Sequence, residues 1–218
     1  MRRTLIYFIT IAAAFGCGAA CAECIDEQNA DAALPAIHGG HVWAKACSDQ
    51  DENGGNIYVK IAINERNETQ ATLRYDQEGY SLSLDTDIYF ENPRMQGGGV
   101  STGGGRDGHG MHYWAINNSA EVIDLGDAPF LKRDYFLKDS YSALVTSSGS
   151  PYQSILYFYG IRGGKLSPTQ AVGFQSGSQG NIASLLAILP GNKFKVEGTK
   201  RLSRKEYGAC KNGEIACW

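Results

Sequence analysis

The residues best suited to metal chemistry are the histidines, which fall into two HxxH pairs. His38 and His41 form the first pair, and His109 and His112 form the second, with Asp107 two residues before it. Imidazole nitrogens are the usual protein ligands of zinc and copper, and a carboxylate can complete a tetrahedral set. The pattern therefore raises the hypothesis of a zinc or copper site, whereas the favoured interpretation is that these histidines are solvated or cap turns.

A second candidate ion site lies in an acidic stretch near residue 50. Asp49, Asp51 and Asn53 precede Gly54 in the D-x-D-x-N-G order of a calcium-binding loop. Alternate oxygen ligands surround the ion in such loops, and the glycine makes the sharp turn. An EF-hand needs glutamate at the twelfth position, where this chain has Lys60. The alternatives are a weak extracellular calcium site and a plain polar turn.

Two other motifs, both in a glycine-rich segment, are rejected as catalytic sites. Ser101 lies in a GxSxG string, but a nucleophile elbow needs a strand before the serine and a helix after it. Residues 103–108 fit GxGxxG without the βαβ unit that binds a dinucleotide. The absence of a catalytic constellation in the sequence favours a binding protein over an enzyme.

Aromatic residues in one strand offer a candidate partner-binding surface. Tyr157 and Tyr159 flank Phe158, so both tyrosines point away from the face that Phe158 occupies. If Phe158 lies in the core, the tyrosines face outward and could anchor a partner. If a second sheet covers that face, both tyrosines are buried, and the pattern leaves the two arrangements equally open.

The N-terminal residues predict export from the cytoplasm. Two arginines precede an apolar run over residues 5–15, and residues 20–22 fit an A-x-A cleavage site. The run is too short to span a bilayer and is typical of a signal peptide. We therefore expect a signal peptide over residues 1–22 and a periplasmic or secreted mature protein. A lipid anchor at Cys21 is the alternative.

Cleavage after residue 22 leaves four cysteines, an even number that is typical of disulfides in an oxidising compartment. Small loops close fastest, which favours the pairs Cys24–Cys47 and Cys210–Cys217. A type I′ hairpin turn at residues 212–213 would place Cys210 and Cys217 diagonally, roughly 7–8 Å apart and beyond comfortable reach. The connectivity therefore stays open, but either version ties down a chain terminus.

Composition limits the size and the partners of the protein. Removal of 22 residues from 218 leaves 196, which suits one domain with a real core. The remaining 18 basic and 23 acidic residues give a net charge near −5. That balance argues against nucleic acid or an anionic membrane surface as a partner, because both require a basic face.

Hydrophobic alternation predicts an all-β fold. Residues 56–64 alternate with a period of two, and the glycine pair at 163–164 predicts a two-residue hairpin turn. Residues 182–189 are apolar enough for a helix or a buried strand, and the turn that follows them favours the strand. Residues 25–37 are expected to form a short helix, and residues 92–110, with eight glycines, a flexible loop.

The sequence thus predicts one antiparallel β domain over residues 23–218, arranged as a sandwich or as a partly closed barrel or propeller-like sheet. The favoured function is a secreted or periplasmic binding protein without catalytic activity, such as an inhibitor or an immunity-type protein, which acts on a protein partner. The alternative is a metal-binding protein or metal-dependent hydrolase that uses both HxxH pairs, with zinc, copper or calcium as the ion.

Overall fold

A computed structural model describes residues 24, 26–48, 54–64, 67–75, 80–91, 94–103, 110–133, 141–146, 151–191 and 193–218. Within these ranges the chain forms fourteen strands and one helix. The elements are β1 Glu27–Ala33, β2 His41–Ser48, β3 Gly55–Asn64, β4 Asn67–Tyr75, β5 Leu84–Glu91, β6 Arg94–Ser101, β7 Gly110–Ile116, β8 Val122–Pro129, β9 Lys132–Arg133, β10 Tyr141–Thr146, β11 Ser154–Arg162, β12 Lys165–Gly177, β13 Gly180–Leu189, β14 Lys193–Leu202 and α1 Arg204–Lys211.

The strands form three antiparallel sheets, in which each strand pairs with the next one along the chain. Sheet A contains β1 to β4, sheet B contains β5 to β8, and sheet C contains β9 to β14. This architecture confirms the all-β prediction. The hairpin at Gly163 and Gly164 is also confirmed, since both residues have positive φ values, and residues 182–189 lie in β13. No helix in the described part of the chain is long and apolar enough to cross a membrane.

Sheet B is the middle layer of the protein. The core between sheets A and B includes Val42, Ile57, Val59, Val100, Trp114 and Ile116. The core between sheets B and C includes Ile88, Phe90, Met111, Tyr113, Leu125, Tyr141 and Leu166. Because neighbouring residues of a strand point to opposite faces, Tyr113 and Trp114 of β7 enter different cores. Both faces of sheet B are therefore apolar, which explains why β7 lacks a polar alternation.

The prediction of a flexible loop over residues 92–110 is wrong for residues 94–101, which form β6. Gly97, Gly98 and Gly99 lie in this strand, which pairs with β5 on one side and β7 on the other. A β-carbon at Gly97 would lie 2.7 Å from the Phe90 ring, and one at Gly99 would lie 2.9 Å from the Tyr113 ring. The glycines therefore make room for aromatic side chains.

The short N-terminal helix expected over residues 25–37 is also wrong, because residues 27–33 form the edge strand β1. The side chain of Gln28 explains the difference. Its amide donates to the carbonyl of Tyr80 at 2.8 Å, and its carbonyl accepts the N–H of Leu82 at 2.8 Å. One glutamine thus satisfies two backbone groups of a distant segment, a tertiary contact that local sequence cannot reveal.

The helix of the fold lies instead at the end of the described chain. Ser203 caps α1 with a capping box, in which its hydroxyl accepts the N–H of Glu206 and the Glu206 carboxylate accepts the N–H of Ser203. Asn212 ends the helix, so the type I′ hairpin expected at residues 212–213 does not form. The helix packs on sheet C, where Cys210 is fully buried.

Both disulfides follow the favoured local pairing. Cys24 bonds to Cys47 and ties the chain before β1 to the end of β2. Cys210 bonds to Cys217 and ties the last turn of α1 to the residues after it. The two bonds thus fix the two ends of the described fold.

Candidate binding face and the predicted ion sites

Sheet A has one buried face and one face that no other sheet covers among the described residues. The side chains at positions 42, 44 and 46 of β2 and 57, 59, 61 and 63 of β3 are buried against sheet B. Their neighbours point the other way and form a surface that we call the outer face. The outer face includes Glu27, Asp31, His41, Trp43, Lys45, Tyr58, Lys60, Glu68 and Gln70.

Trp43 lies on the outer face and has two close neighbours there, His41 and Lys60. The imidazole of His41 lies 4.4 Å from the indole, measured between ring centroids. Lys60, which is opposite Trp43 in the β2–β3 register, places its Nζ 5.5 Å from the indole centroid. A cation over an aromatic ring is attracted by the ring quadrupole. These contacts hold the indole in place and leave it only half-buried.

Ion pairs surround the indole. Lys45 Nζ lies 2.7 Å from Glu27, and Lys60 Nζ lies 2.6 Å from Glu68. Hydrogen bonds from these lysines lower the pKa of Glu27 and of Glu68 below the ordinary value. Exposed pairs of this kind contribute little to stability. Their main consequence is that the outer face presents both signs of charge in a fixed pattern.

Tyr58 is the most accessible aromatic residue on the outer face, with 43% of its surface exposed. It lies opposite Lys45 in the register of β2 and β3. The sequence carries a signal for this surface, because buried and open positions alternate over residues 41–47 of β2 and along the whole of β3. An aromatic residue on the polar side of such a strand marks a candidate contact, and Trp43 and Tyr58 both meet that description.

The structure places the other candidate aromatic pair inside the protein. Tyr159 is 9% exposed and belongs to the core between sheets B and C, so of the two arrangements that the sequence leaves open, the buried one is found for this residue. Tyr157 is half-buried and packs beside the same core and near Phe194, at 6.2 Å between ring centroids. Burial raises the pKa of Tyr159 to about 12 and raises the pKa of Tyr157. Sheet B therefore covers the face of sheet C that carries these tyrosines.

The described histidines occupy separate places. His38 is exposed in the turn between β1 and β2, whereas the Nε2 of His41 lies 3.2 Å from a carboxylate oxygen of Asp31 on the outer face. Asp107 and His109 lie outside the described residues, so their part in a metal site stays a prediction. In the ranges that the structure covers, no group of three or more His, Cys, Asp or Glu could hold a metal ion.

His112 instead links two carboxylates of β8. Its Nδ1 lies 2.7 Å from Asp127, and its Nε2 lies 3.2 Å from Asp124. The carboxylates meet opposite nitrogens of the ring, an arrangement that positions the ring and cannot surround one ion. Burial would raise the pKa of Asp124, but hydrogen bonds from Lys165 and from the N–H of Gly126 bring it below the ordinary value. Since Lys165 belongs to β12, this cluster joins sheet B to sheet C.

Of the remaining predicted positions, Ser101 is described and has a structural role. Asp49, Asp51 and Asn53 lie outside the described residues, so the calcium hypothesis stays a prediction. The hydroxyl of Ser101 accepts the N–H of Ser83 at 2.8 Å and donates to the carbonyl of Ser81 at 2.9 Å. The hydroxyl of Ser101 therefore connects the segment before β5 to β6 through backbone hydrogen bonds, which is a structural role and not that of an activated nucleophile.

The described residues thus define an antiparallel β protein of three stacked sheets with one open, aromatic sheet surface. Comparison of the chain with protein-family models, with curated proteins and with solved structures found no match.

Proposed function

We propose that this chain is a non-catalytic binding protein of the periplasm or the extracellular space, and that it binds a protein partner through the outer face of sheet A. The observation that supports the proposal is the presence of Trp43 and Tyr58 together on a sheet face that no other described element covers. An inhibitor or an immunity-type protein is the class that this description fits.

The rigidity of the outer face supports a role in recognition. Val42 and Ile57, on the opposite side of the same strands, are completely buried. A surface whose backbone is fixed by the core loses little conformational entropy when a partner binds. Trp and Tyr are also the residues most often found where binding energy is concentrated in protein interfaces.

The surroundings of Trp43 favour a protein partner over a sugar. A sugar ring stacked on the indole would compete for space with His41 and Lys60, which already lie close to it. The paired charges around it suit a partner surface with its own alternating charges, since electrostatic complementarity gives protein interfaces their specificity. Tyr58, the most exposed aromatic side chain of the outer face, is then the one expected to insert into the partner's surface.

The proposal can be tested by photo-crosslinking in cells of the source organism. A photoreactive phenylalanine analogue replaces Tyr58 in one strain and replaces Leu144, which is 41% exposed on sheet C, in a control strain. We expect one protein to crosslink at position 58 and not at position 144, and the purified pair to reproduce that crosslink. No crosslink at position 58, or equal crosslinking at both positions, would overturn the proposal.

A further inference from the structure

Charge is divided unevenly along the chain. Residues 193–218 contain seven Lys and Arg and three Glu, whereas residues 23–192 contain eleven Lys and Arg and twenty Asp and Glu. The negative net charge of the whole molecule therefore conceals a basic C-terminal part. The net charge of the whole molecule therefore does not exclude contact between this part and an anionic membrane surface.

Three lysines of β14 share one face of sheet C. Lys193, Lys195 and Lys200 lie opposite residues 189, 187 and 183 of β13, which all point to the face that α1 covers in part. Lys200 is five positions after Lys195, and in a regular strand these two side chains would point to opposite faces. A bulge in the pairing, at positions 185 and 186 of β13, keeps Lys200 on the same face as the other two lysines. All three lysines are exposed, and in the described chain none has a carboxylate within ion-pair distance.

An exposed tryptophan lies among these lysines. The ring of Trp218 would lie 3.2 Å from a β-carbon at Gly198, which is on the same face between Lys195 and Lys200. Cys217 is buried and bonded to Cys210, so the chain is anchored one residue before the indole. Even so, 49% of Trp218 is exposed. Leu189, opposite Lys193, is 42% exposed and adds a second apolar side chain.

We propose that this surface, formed by the lysines of β14 with Trp218 and Leu189, binds an anionic lipid membrane surface. Lysines on an edge strand also prevent edge-to-edge pairing, so the charge by itself has another explanation. An anchored and exposed indole among the lysines does not serve that purpose. Tryptophan prefers the headgroup region of a bilayer, and basic side chains beside it are attracted to anionic headgroups. This surface and the outer face of sheet A involve different residues.

The test uses the full chain with vesicles of phosphatidylcholine alone and with about 30% phosphatidylglycerol. We expect sedimentation with the anionic vesicles only, weaker at high salt because the attraction is screened. A K193Q/K195Q variant should bind at least about tenfold more weakly, since each basic residue near the surface contributes substantially. The matched control K132Q/R162Q removes two exposed charges elsewhere and should bind within about twofold of the parent.

Fluorescence assigns the role of the tryptophan. Anionic vesicles should shift the tryptophan emission to shorter wavelength, and a W218F variant should lack the shift while Trp43 and Trp114 remain. No binding to anionic vesicles, or an equal loss in both charge variants, would overturn the proposal. Binding to soluble polyphosphate without binding to vesicles would also overturn it, because the ligand would then be a free phosphate polymer.

Discussion

The indole of Trp114 on β7 occupies the space that a side chain at Gly98 of β6 would need. The two residues are directly opposite each other in the register of sheet B, and a β-carbon at Gly98 would overlap the indole. Trp114 itself is buried between sheets A and B. The missing side chain at position 98 therefore leaves room for the indole in the core between sheets A and B.

Substitution of Gly98 by Ala should destabilise the fold. The added methyl group must displace a buried indole, and overpacking of this kind costs about 1–3 kcal/mol of unfolding free energy. The control is Gly177→Ala, at the end of β12, where nothing lies within 4 Å of the added carbon. Urea unfolding, monitored by tryptophan fluorescence, measures the stability of both variants. Equal midpoints for the two would contradict the packing described for β6.

Removal of the hydroxyl group should have different effects at two tyrosines, the buried Tyr141 and the half-buried Tyr207. Tyr141 accepts the N–H of Tyr89 at 2.7 Å and thereby joins sheet C to the edge of sheet B. Tyr141→Phe leaves that N–H unsatisfied and should cost about 1–3 kcal/mol. The hydroxyl of Tyr207 has no partner among the described residues, so Tyr207→Phe should be neutral or stabilising. Thermal unfolding of both variants measures the contrast, and a reversed order would refute it.

Asp85 should make stability depend on pH. Burial raises the pKa of its carboxyl above the ordinary value of 3.8, with the hydrogen bond from the N–H of Asp87 as a smaller opposing effect. A raised pKa means that the folded state favours the protonated acid, so stability falls as pH rises from about 3.8 through the folded-state pKa. Asp85→Asn should therefore raise the melting temperature at pH 7 and change it little near pH 3. A lower melting temperature at pH 7 would contradict this assignment.

The two disulfides should contribute unequally because they close loops of different length. Cys24 and Cys47 are separated by 23 positions, and Cys210 and Cys217 by 7. Loop-closure entropy then predicts losses of about 3 and about 2 kcal/mol when each pair is replaced by serines. Urea unfolding of the two double variants tests the order. A larger loss for the second pair would show that packing of Cys210 outweighs the loop entropy.

The sequence predicts the elements whose patterns are local. Strict alternation in β3 and paired glycines at positions 163 and 164 depend only on neighbouring residues, and both predictions are confirmed. The strand β6 could not be predicted in this way, because its glycines are explained by aromatic residues on other strands. Gln28 is a similar case, since its partners are more than 50 positions away.

The candidate surface was harder to predict than the fold. Alternation shows which residues share a face, as for Tyr157 and Tyr159, but it does not show which face another sheet covers. That depends on the order of the layers, which places sheet B against these tyrosines and leaves Trp43 and Tyr58 open. The charge of β14 is visible in the sequence, whereas its position beside Trp218 follows from the bulge in the β13–β14 pairing and the Cys210–Cys217 bond.

The most direct test of the proposed function is the affinity of the crosslinked partner for purified variants, measured by calorimetry. Tyr58→Ala should weaken binding by about 2 kcal/mol or more, roughly 30-fold, as expected for an aromatic residue at the centre of an interface. Leu144→Ala, on sheet C, should bind like the parent. Unchanged affinity for Tyr58→Ala, in a variant that unfolds at the same urea concentration as the parent, would contradict recognition through the outer face.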